Sequence, residues 1–180
     1  MRLEPLYRVT FTTPESWSVE LEGTTGTEGQ SFLIAEGRSE GRLSARYRAA
    51  NFPRRRTDGA LTPDFRGVLE TDDGATILFA WSGVARTGSA GMRELVGSIT
   101  HTTDDERYRW LNDRVGAVTG EVRPRDGGEG FDVVIDVAEL VWEPLAFDGV
   151  GPNGVTLSPP SSRGTPGEVV RVARRAPALP

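Results

Sequence analysis

Residues 62–81 read TPDFRGVLETDDGATILFAW and decide the fold, because two extended runs flank an Asp-Asp-Gly sequence. A two-residue turn at Asp73-Gly74 would place Arg66 opposite Trp81 and mix charged with aromatic side chains on one face. A three-residue turn at Asp72–Gly74 is instead the usual type I turn followed by a glycine bulge. Strand register follows the pairing that separates apolar from polar faces. The sequence therefore predicts the three-residue turn.

This turn pairs Thr71 with Ala75 and gives the hairpin one apolar, aromatic face. The predicted cross-strand pairs on that face are Phe65 with Trp81, Gly67 with Phe79, and Leu69 with Ile77. Gly67 suits its position because an aromatic ring can cover the bare backbone opposite it. In a barrel, such a face points into the lumen, which is either packed or forms a pocket.

Period-two alternation of apolar residues dominates the rest of the chain and predicts an all-β protein. The alternating runs are Leu6–Thr12, Trp17–Gly23, Gln30–Glu36, Arg42–Ala50, Arg114–Val122 and Phe131–Trp142. Short helices are expected near Ala90–Val96 and Asp104–Asn112 alone. Many short strands with little helix indicate a sandwich or a barrel, and closure removes unpaired edges. We therefore expect a closed antiparallel β-barrel of about eight to ten strands.

Composition limits the class of protein. The chain has 180 residues, 37% of them hydrophobic and 26% charged, which is typical of a soluble domain with an appendage. The net charge of -5 argues against nucleic acid as a partner. No apolar run approaches the roughly 20 residues of a membrane span, and the start lacks the apolar core of a signal peptide. We expect a cytoplasmic protein without a membrane or nucleic-acid partner.

The composition changes after Trp142, so we divide the chain into a barrel domain, 1–143, and a Pro/Gly-rich C-terminal extension, 144–180. This composition is typical of a weakly ordered tail. Val169, Val170 and Val172 are apolar residues that a pure linker would not need. They favour the alternative that the extension packs on the barrel or on a partner subunit.

Several other strands offer apolar faces that we expect to line the lumen. These faces comprise Trp17, Val19 and Leu21; Leu43, Ala45, Tyr47 and Ala49; and Phe131, Val133, Ile135 and Val137. Polar residues that continue such faces are candidate functional groups, namely Tyr47, Glu139 and Glu121, the last of which follows Val115, Ala117 and Thr119. A carboxylate at an apolar barrel mouth would have a raised pKa and could act as an acid or base. The alternative is a strand-end Glu that reaches water.

His101 is the single histidine and lies near Asp104 and Asp105 in the sequence. It is either a general base that works near neutral pH or a strand-end residue with no special role. One histidine and no cysteine make a zinc site improbable. Nucleotide-binding and hydrolase motifs are also missing, so we expect neither a metal nor a cofactor.

An ordered series of short motifs resembles a known family. The motifs are GRL (41–43), RTDG (56–59), D-x-R (Asp64, Arg66), TDDGA (71–75), YRWLN (108–112), VGAVTGEV (115–122) and VVIDVAEL (133–140). This series is similar to bacterial proteins of domain-of-unknown-function family 3237 over roughly residues 2–142. The resemblance implies a compact barrel, similar to allene oxide cyclase and dirigent barrels, and a homo-oligomer, dimeric or higher. The family has no agreed reaction, so it assigns no catalytic residue.

Three functions fit these observations. The first is a cofactor-free cyclase or isomerase that acts on a hydrophobic molecule in the lumen, with Tyr47, Glu139 and His101 as candidate catalytic residues. The second is a carrier for such a molecule, and the third is a structural module with a packed lumen. Candidate ligand contacts are Phe65, Phe79, Trp81, Tyr108, Trp110 and Glu121. A cavity of about 300 Å³ or more favours the first two functions over the third.

Overall fold

The computed structural model describes residues 1–88, 92–124 and 130–143, which belong to one compact unit, Met1–Glu143. The extension 144–180 lies outside the described residues. Its packing on the barrel or on a partner subunit therefore stays a prediction.

The described residues form an all-β fold of ten strands with one short 3-10 helix, Arg109–Asp113, between β8 and β9. The strands are β1 (Arg2–Gly23), β2 (Gly26–Gly41), β3 (Ala45–Asn51), β4 (Arg54–Arg55), β5 (Leu61–Thr62), β6 (Asp64–Thr71), β7 (Thr76–Thr87), β8 (Arg93–Thr102), β9 (Val115–Pro124) and β10 (Phe131–Val141). Antiparallel pairing runs through β1, β10, β9, β8, β7, β6, β3 and β2, and β2 pairs again with β1. The predicted closed antiparallel barrel is confirmed.

The two shortest strands extend the wall at one end of this ring. β4 pairs with Gly29 and Gln30 of β2, and Leu61 of β5 pairs with Ala85 of β7. β4 and β5 also pair with each other. They therefore connect β2 to β7 at the end of the barrel where β3 ends and β6 begins.

The β6–β7 hairpin has the predicted turn and register. The amide of Thr71 donates to the carbonyl of Ala75 at 2.9 Å, and the amide of Gly74 donates to the carbonyl of Thr71 at 3.0 Å. Gly74 has a φ of 90°, a backbone conformation that glycine adopts without strain. Phe65 pairs with Trp81, as the separation of faces predicts.

A dense layer of side chains fills the middle of the lumen. Tyr47 lies between Phe11 and Phe79, with ring centroids at 5.2 and 5.0 Å. The largest fully buried side chains with it include Leu69, Ile77, Ile99, Ile135, Val9, Val118 and Val137. The lumen is therefore not an open channel.

Two of the predicted local structures are wrong in detail. The helix near Ala90–Val96 is wrong, because β8 begins at Arg93 and pairs with both β7 and β9; residues 89–91 lie outside the described residues. Sheet pairing overrides the helix propensity of the Met-Arg-Glu-Leu sequence there. Near Asp104–Asn112 the chain forms turns and a 3-10 helix.

A β-bulge overturns the predicted inner face of the second half of β1. Thr12 pairs with Glu36 but Glu15 pairs with Ile34, so β1 contains one extra residue between these pairs. An extra residue moves all later side chains to the opposite face. Trp17, Val19 and Leu21 are consequently 54%, 63% and 66% exposed, outside the lumen.

The predicted inner face of β9 is also wrong. Val115 and Thr119 are exposed, whereas Gly116 and Val118 are buried, so Glu121 belongs to the outer face and pairs with Arg123. The sequence Gly-Ala-Val-Thr-Gly has no large apolar side chain other than valine, and alternation alone cannot orient it.

Candidate functional site

A cavity of about 500 Å³ opens at one end of the barrel, which we call the open end. The middle parts of β1 and β2, the strands β4 and β5, the end of β9 and the starts of β8 and β10 surround it. Phe65 and Trp81 lie at its base and stack at a centroid distance of 4.2 Å with 12° between their planes. Phe11, Leu95 and Val133 add further apolar wall. An apolar enclosure of this size is typical of small-molecule sites.

Asn51 brings a polar group to this cavity from the end of β3. Asn51 is 4% exposed, and its Oδ1 accepts a hydrogen bond from the backbone amide of Asp64 at 3.0 Å. This bond fixes the orientation of the amide. Among the described residues, the Asn51 side-chain nitrogen has no hydrogen-bond acceptor.

Three charged residues border the cavity. Glu20 of β1 and Arg55 of β4 form an ion pair across adjacent strands at the rim. Arg93 is at the start of β8, on the same face as the buried residues Leu95 and Ile99. It is half-buried, and none of the residues that the structure describes pairs with its guanidinium.

Below the cavity, two buried polar atoms are without hydrogen-bond partners in the described part of the chain: the Tyr47 hydroxyl and Trp81 Nε1. Burial raises the pKa of Tyr47 well above its ordinary value. Tyr47 is therefore neutral at physiological pH. Its hydroxyl belongs to the packed layer and does not border the cavity.

The other end of the barrel, which we call the closed end, holds His101. Its Nε2 lies 2.7 Å from the Tyr7 hydroxyl, with the rings edge to face. Burial lowers the pKa of His101 from 6.5 to about 4, so the imidazole is neutral at pH 7. Burial also raises the pKa of Tyr7 well above its ordinary value, and Tyr47 adds to that increase. His101 is thus a buried residue near the end of β8, and neither Asp104 nor Asp105 pairs with it.

Glu139 is also at the closed end. Its side chain is 8% exposed, and its Oε1 lies 3.0 Å from Nη1 of Arg114. Tyr108 donates a hydrogen bond to Asp73 at 2.9 Å, and the Arg42 guanidinium covers the Trp110 ring at 4.6 Å. Tyr108 and Trp110 thus help to cover this end of the barrel.

The structure therefore divides the predicted site residues into separate groups. Phe65 and Trp81 border the cavity, while Tyr47 and Phe79 are in the layer below it. His101 is eight residues along β8 from Arg93, which corresponds to about 26 Å at the rise of a strand. One small molecule in the cavity cannot contact the closed end at that distance. The groups of the closed end are Tyr108, Trp110, His101 and Glu139, and Glu121 is outside the barrel.

Arg93 and Asn51 are residues at the cavity that sequence reasoning missed. Asn51 continues the alternation of Tyr47 and Ala49, which would have indicated its inward position. The sequence around Arg93 favours a helix, and a helix would not place Arg93 and Leu95 on the same face. Within residues 1–88, 92–124 and 130–143, no three His, Asp or Glu side chains converge as a metal site requires. None of the helices in those residues has the length and apolar character to cross a membrane.

The fold and site define a class: a closed antiparallel β-barrel with a packed middle and an apolar cavity at one end. The chain belongs to the family described as "Protein of unknown function (DUF3237)", whose model matches residues 1–140. No curated protein matches the chain.

Solved structures share this barrel. A β-barrel-like protein from Acinetobacter baumannii is 22% identical, with a TM-score of 0.63, and the match covers 77% of this chain and 94% of that protein. A protein of unknown function from Clostridium acetobutylicum is 15% identical, with a TM-score of 0.63 and coverage of 78% and 100%. An enzyme from Penicillium herquei is 19% identical, with a TM-score of 0.53 and coverage of 76% and 93%. The similarity to allene oxide cyclase and dirigent barrels stays a prediction.

Proposed function

We propose that this protein binds an apolar or aromatic small molecule in the cavity at the open end. The cavity of about 500 Å³ above the stacked Phe65 and Trp81 carries the proposal. Its volume exceeds the roughly 300 Å³ at the lower limit of ligand pockets. The Phe65–Trp81 stack gives the cavity an aromatic base, and aromatic pairs are favourable, so an aromatic ligand suits this end of the barrel.

The competing structural function requires a lumen filled by its own side chains. The layer around Tyr47 and Ile99 meets that requirement, but the open end does not. A barrel that needed only a packed core would gain stability by filling the cavity, since buried apolar area stabilises folding by about 25 cal/mol per Å². The cavity thus favours ligand binding.

Catalysis is a second candidate function, in the form of a cofactor-free cyclisation or isomerisation. Glu20 is the single carboxylate that borders the cavity among the described residues, and it is paired with Arg55. Tyr47, Glu139 and His101 do not border it. Rate enhancement would therefore come from holding a flexible substrate in a reactive shape. The similar barrel in the Penicillium herquei enzyme supports only the compatibility of the fold with catalysis.

Titration with the neutral dye N-phenyl-1-naphthylamine tests the binding proposal. Dye emission should rise on binding to the wild type and should fall in Leu95→Trp, because the larger side chain enters the cavity. Leu78→Trp is the matched control, since Leu78 is 55% exposed on the outer face of β7. Melting temperatures establish that both variants fold. Absence of binding, or equal binding by a folded Leu95→Trp variant, contradicts the proposal.

Turnover separates an enzyme from a carrier. If the protein is an enzyme, a flexible apolar compound that displaces the dye should be converted by the wild type and recovered unchanged with Leu95→Trp. If dye-displacing compounds are all recovered unchanged, the protein is a carrier.

A further inference from the structure

Arg93 has an environment that a purely structural arginine would not need. It is at the first position of the inner face of β8, where the buried residues Leu95, Ile99 and His101 follow at alternate positions. The side chain is half-buried and borders the apolar cavity. Withdrawing a charge from water is unfavourable unless a counter-charge or acceptors replace the water.

The second arginine at the cavity shows what a structural pairing looks like here. Arg55 binds Glu20 on the adjacent wall, so that its charge is compensated within the protein. No such carboxylate reaches Arg93 from the described residues. The described cavity residues thus carry one uncompensated positive charge.

Asn51 adds an uncharged donor to the same cavity. Its Oδ1 is already bonded to the Asp64 amide, so its NH2 group is the part that can serve a ligand. The Arg93 guanidinium and the Asn51 NH2 group are donors only, and the hydroxyls of Thr13 and Ser16, which also line the cavity, can donate as well. They match a ligand rich in acceptors, and the walls around them match an apolar ring.

From this arrangement we infer that the cavity selects an aromatic or other apolar carboxylic acid, with its carboxylate on Arg93. A guanidinium binds a carboxylate through two parallel hydrogen bonds, and a second acceptor on the ligand would accept from Asn51. The inference rests on the proposed function of small-molecule binding and names the class of ligand for that site.

Displacement of the bound neutral dye by a matched pair of competitors tests the inference. The pair is 2-naphthoate and its uncharged analogue 2-naphthamide, measured at pH 7.5. The wild type should bind 2-naphthoate about tenfold or more tightly than 2-naphthamide. Arg93→Gln should remove this preference while it retains dye and 2-naphthamide binding. Arg46→Gln should leave it intact, because Arg46 is exposed on the outer face of β3.

Asn51→Asp provides an independent variant. It keeps an acceptor for the Asp64 amide, so the strand end remains capped, but it replaces the NH2 donor by a negative charge. We expect about tenfold weaker 2-naphthoate binding with little change for 2-naphthamide.

The outcomes distinguish the two proposals. Dye binding with equal affinities for both competitors, or a preference that survives Arg93→Gln, overturns the assignment of Arg93 and leaves small-molecule binding in place. Failure of the dye and both competitors to bind the folded wild type overturns the proposed function itself.

Discussion

Mild acid should destabilise the barrel through His101. The imidazole is buried and shares one hydrogen bond with the Tyr7 hydroxyl. Burial lowers its pKa from 6.5 to about 4. In the unfolded chain the ring is in water and binds a proton below pH 6.5. The unfolded state therefore binds more protons between pH 6.5 and 4, so the free energy of unfolding falls as the pH falls through that window.

The expected size follows from the two pKa values. The difference between a pKa of 6.5 and one of about 4 corresponds to about 3 kcal/mol when titration is complete below pH 4, at 1.36 kcal/mol per pH unit. At pH 5 the loss is about 2 kcal/mol relative to pH 7.5. For a chain of this size, that loss lowers the melting temperature by about 4 to 8 °C. Asp105, whose pKa the Arg107 hydrogen bond lowers to about 2, titrates well below this range.

Thermal unfolding at constant ionic strength between pH 7.5 and 5 measures the effect. His101→Gln, with a neutral side chain, should lose most of the decrease. Tyr7→Phe keeps the buried imidazole and should retain the decrease, although it is less stable at every pH because it loses the 2.7 Å hydrogen bond. A wild-type melting temperature that stays constant from pH 7.5 to 5, or an undiminished decrease in His101→Gln, would refute the reasoning.

Three further predictions concern packing and assembly. Gly67→Ala should destabilise the barrel by about 1 to 3 kcal/mol, because a Cβ at this position would lie 2.4 Å from Cζ of Phe79. Gly23→Ala is the control and should cost much less, because the nearest atom to its Cβ would be 3.4 Å away. Equal melting temperatures for the two variants would contradict this prediction. Tyr47→Phe removes a buried hydroxyl that has no hydrogen-bond partner among the described residues, so the free energy of unfolding should be unchanged or about 1 kcal/mol higher. A lower free energy of unfolding in chemical denaturation would show that the hydroxyl does have a hydrogen-bond partner. The homo-oligomer expected from sequence is tested by sedimentation velocity over a range of concentrations, where a monomer throughout would be the adverse result.

The parts of the fold that sequence predicted are those where one register alone separates the faces. In the β6–β7 hairpin, only the three-residue turn brings Phe65 beside Trp81 and leaves Arg66 outside. The bulge after Thr12 gives no comparable signal, because Thr13 and Pro14 are small and do not interrupt an apolar stripe. Alternation therefore predicts an inner position for Trp17, whereas the bulge turns its side chain outward.

The candidate site was less predictable because it depends on which strand ends meet. The aromatic face of the β6–β7 hairpin predicts Phe65 and Trp81 as ligand contacts. Alternation, however, assigns residues to a face without fixing their height along the barrel. His101 and Glu139 share the inner face with the cavity residues and nevertheless lie at the other end. Arg93 can be placed at the cavity only if its segment is known to be the strand β8, and the helix-favouring residues around it obscure that strand.

Closure of the ring joins the first strand to the last. Arg2 pairs with Val141 and Phe11 with Val133, so one edge of β1 can be paired only after β10 has been synthesised. At elongation rates of about 5 to 20 residues per second, some 140 residues require roughly 7 to 28 s. Unpaired strand edges promote intermolecular pairing. Each nascent chain thus carries an open edge until β10 is complete, and the speed of the ribosome sets how long that edge is exposed.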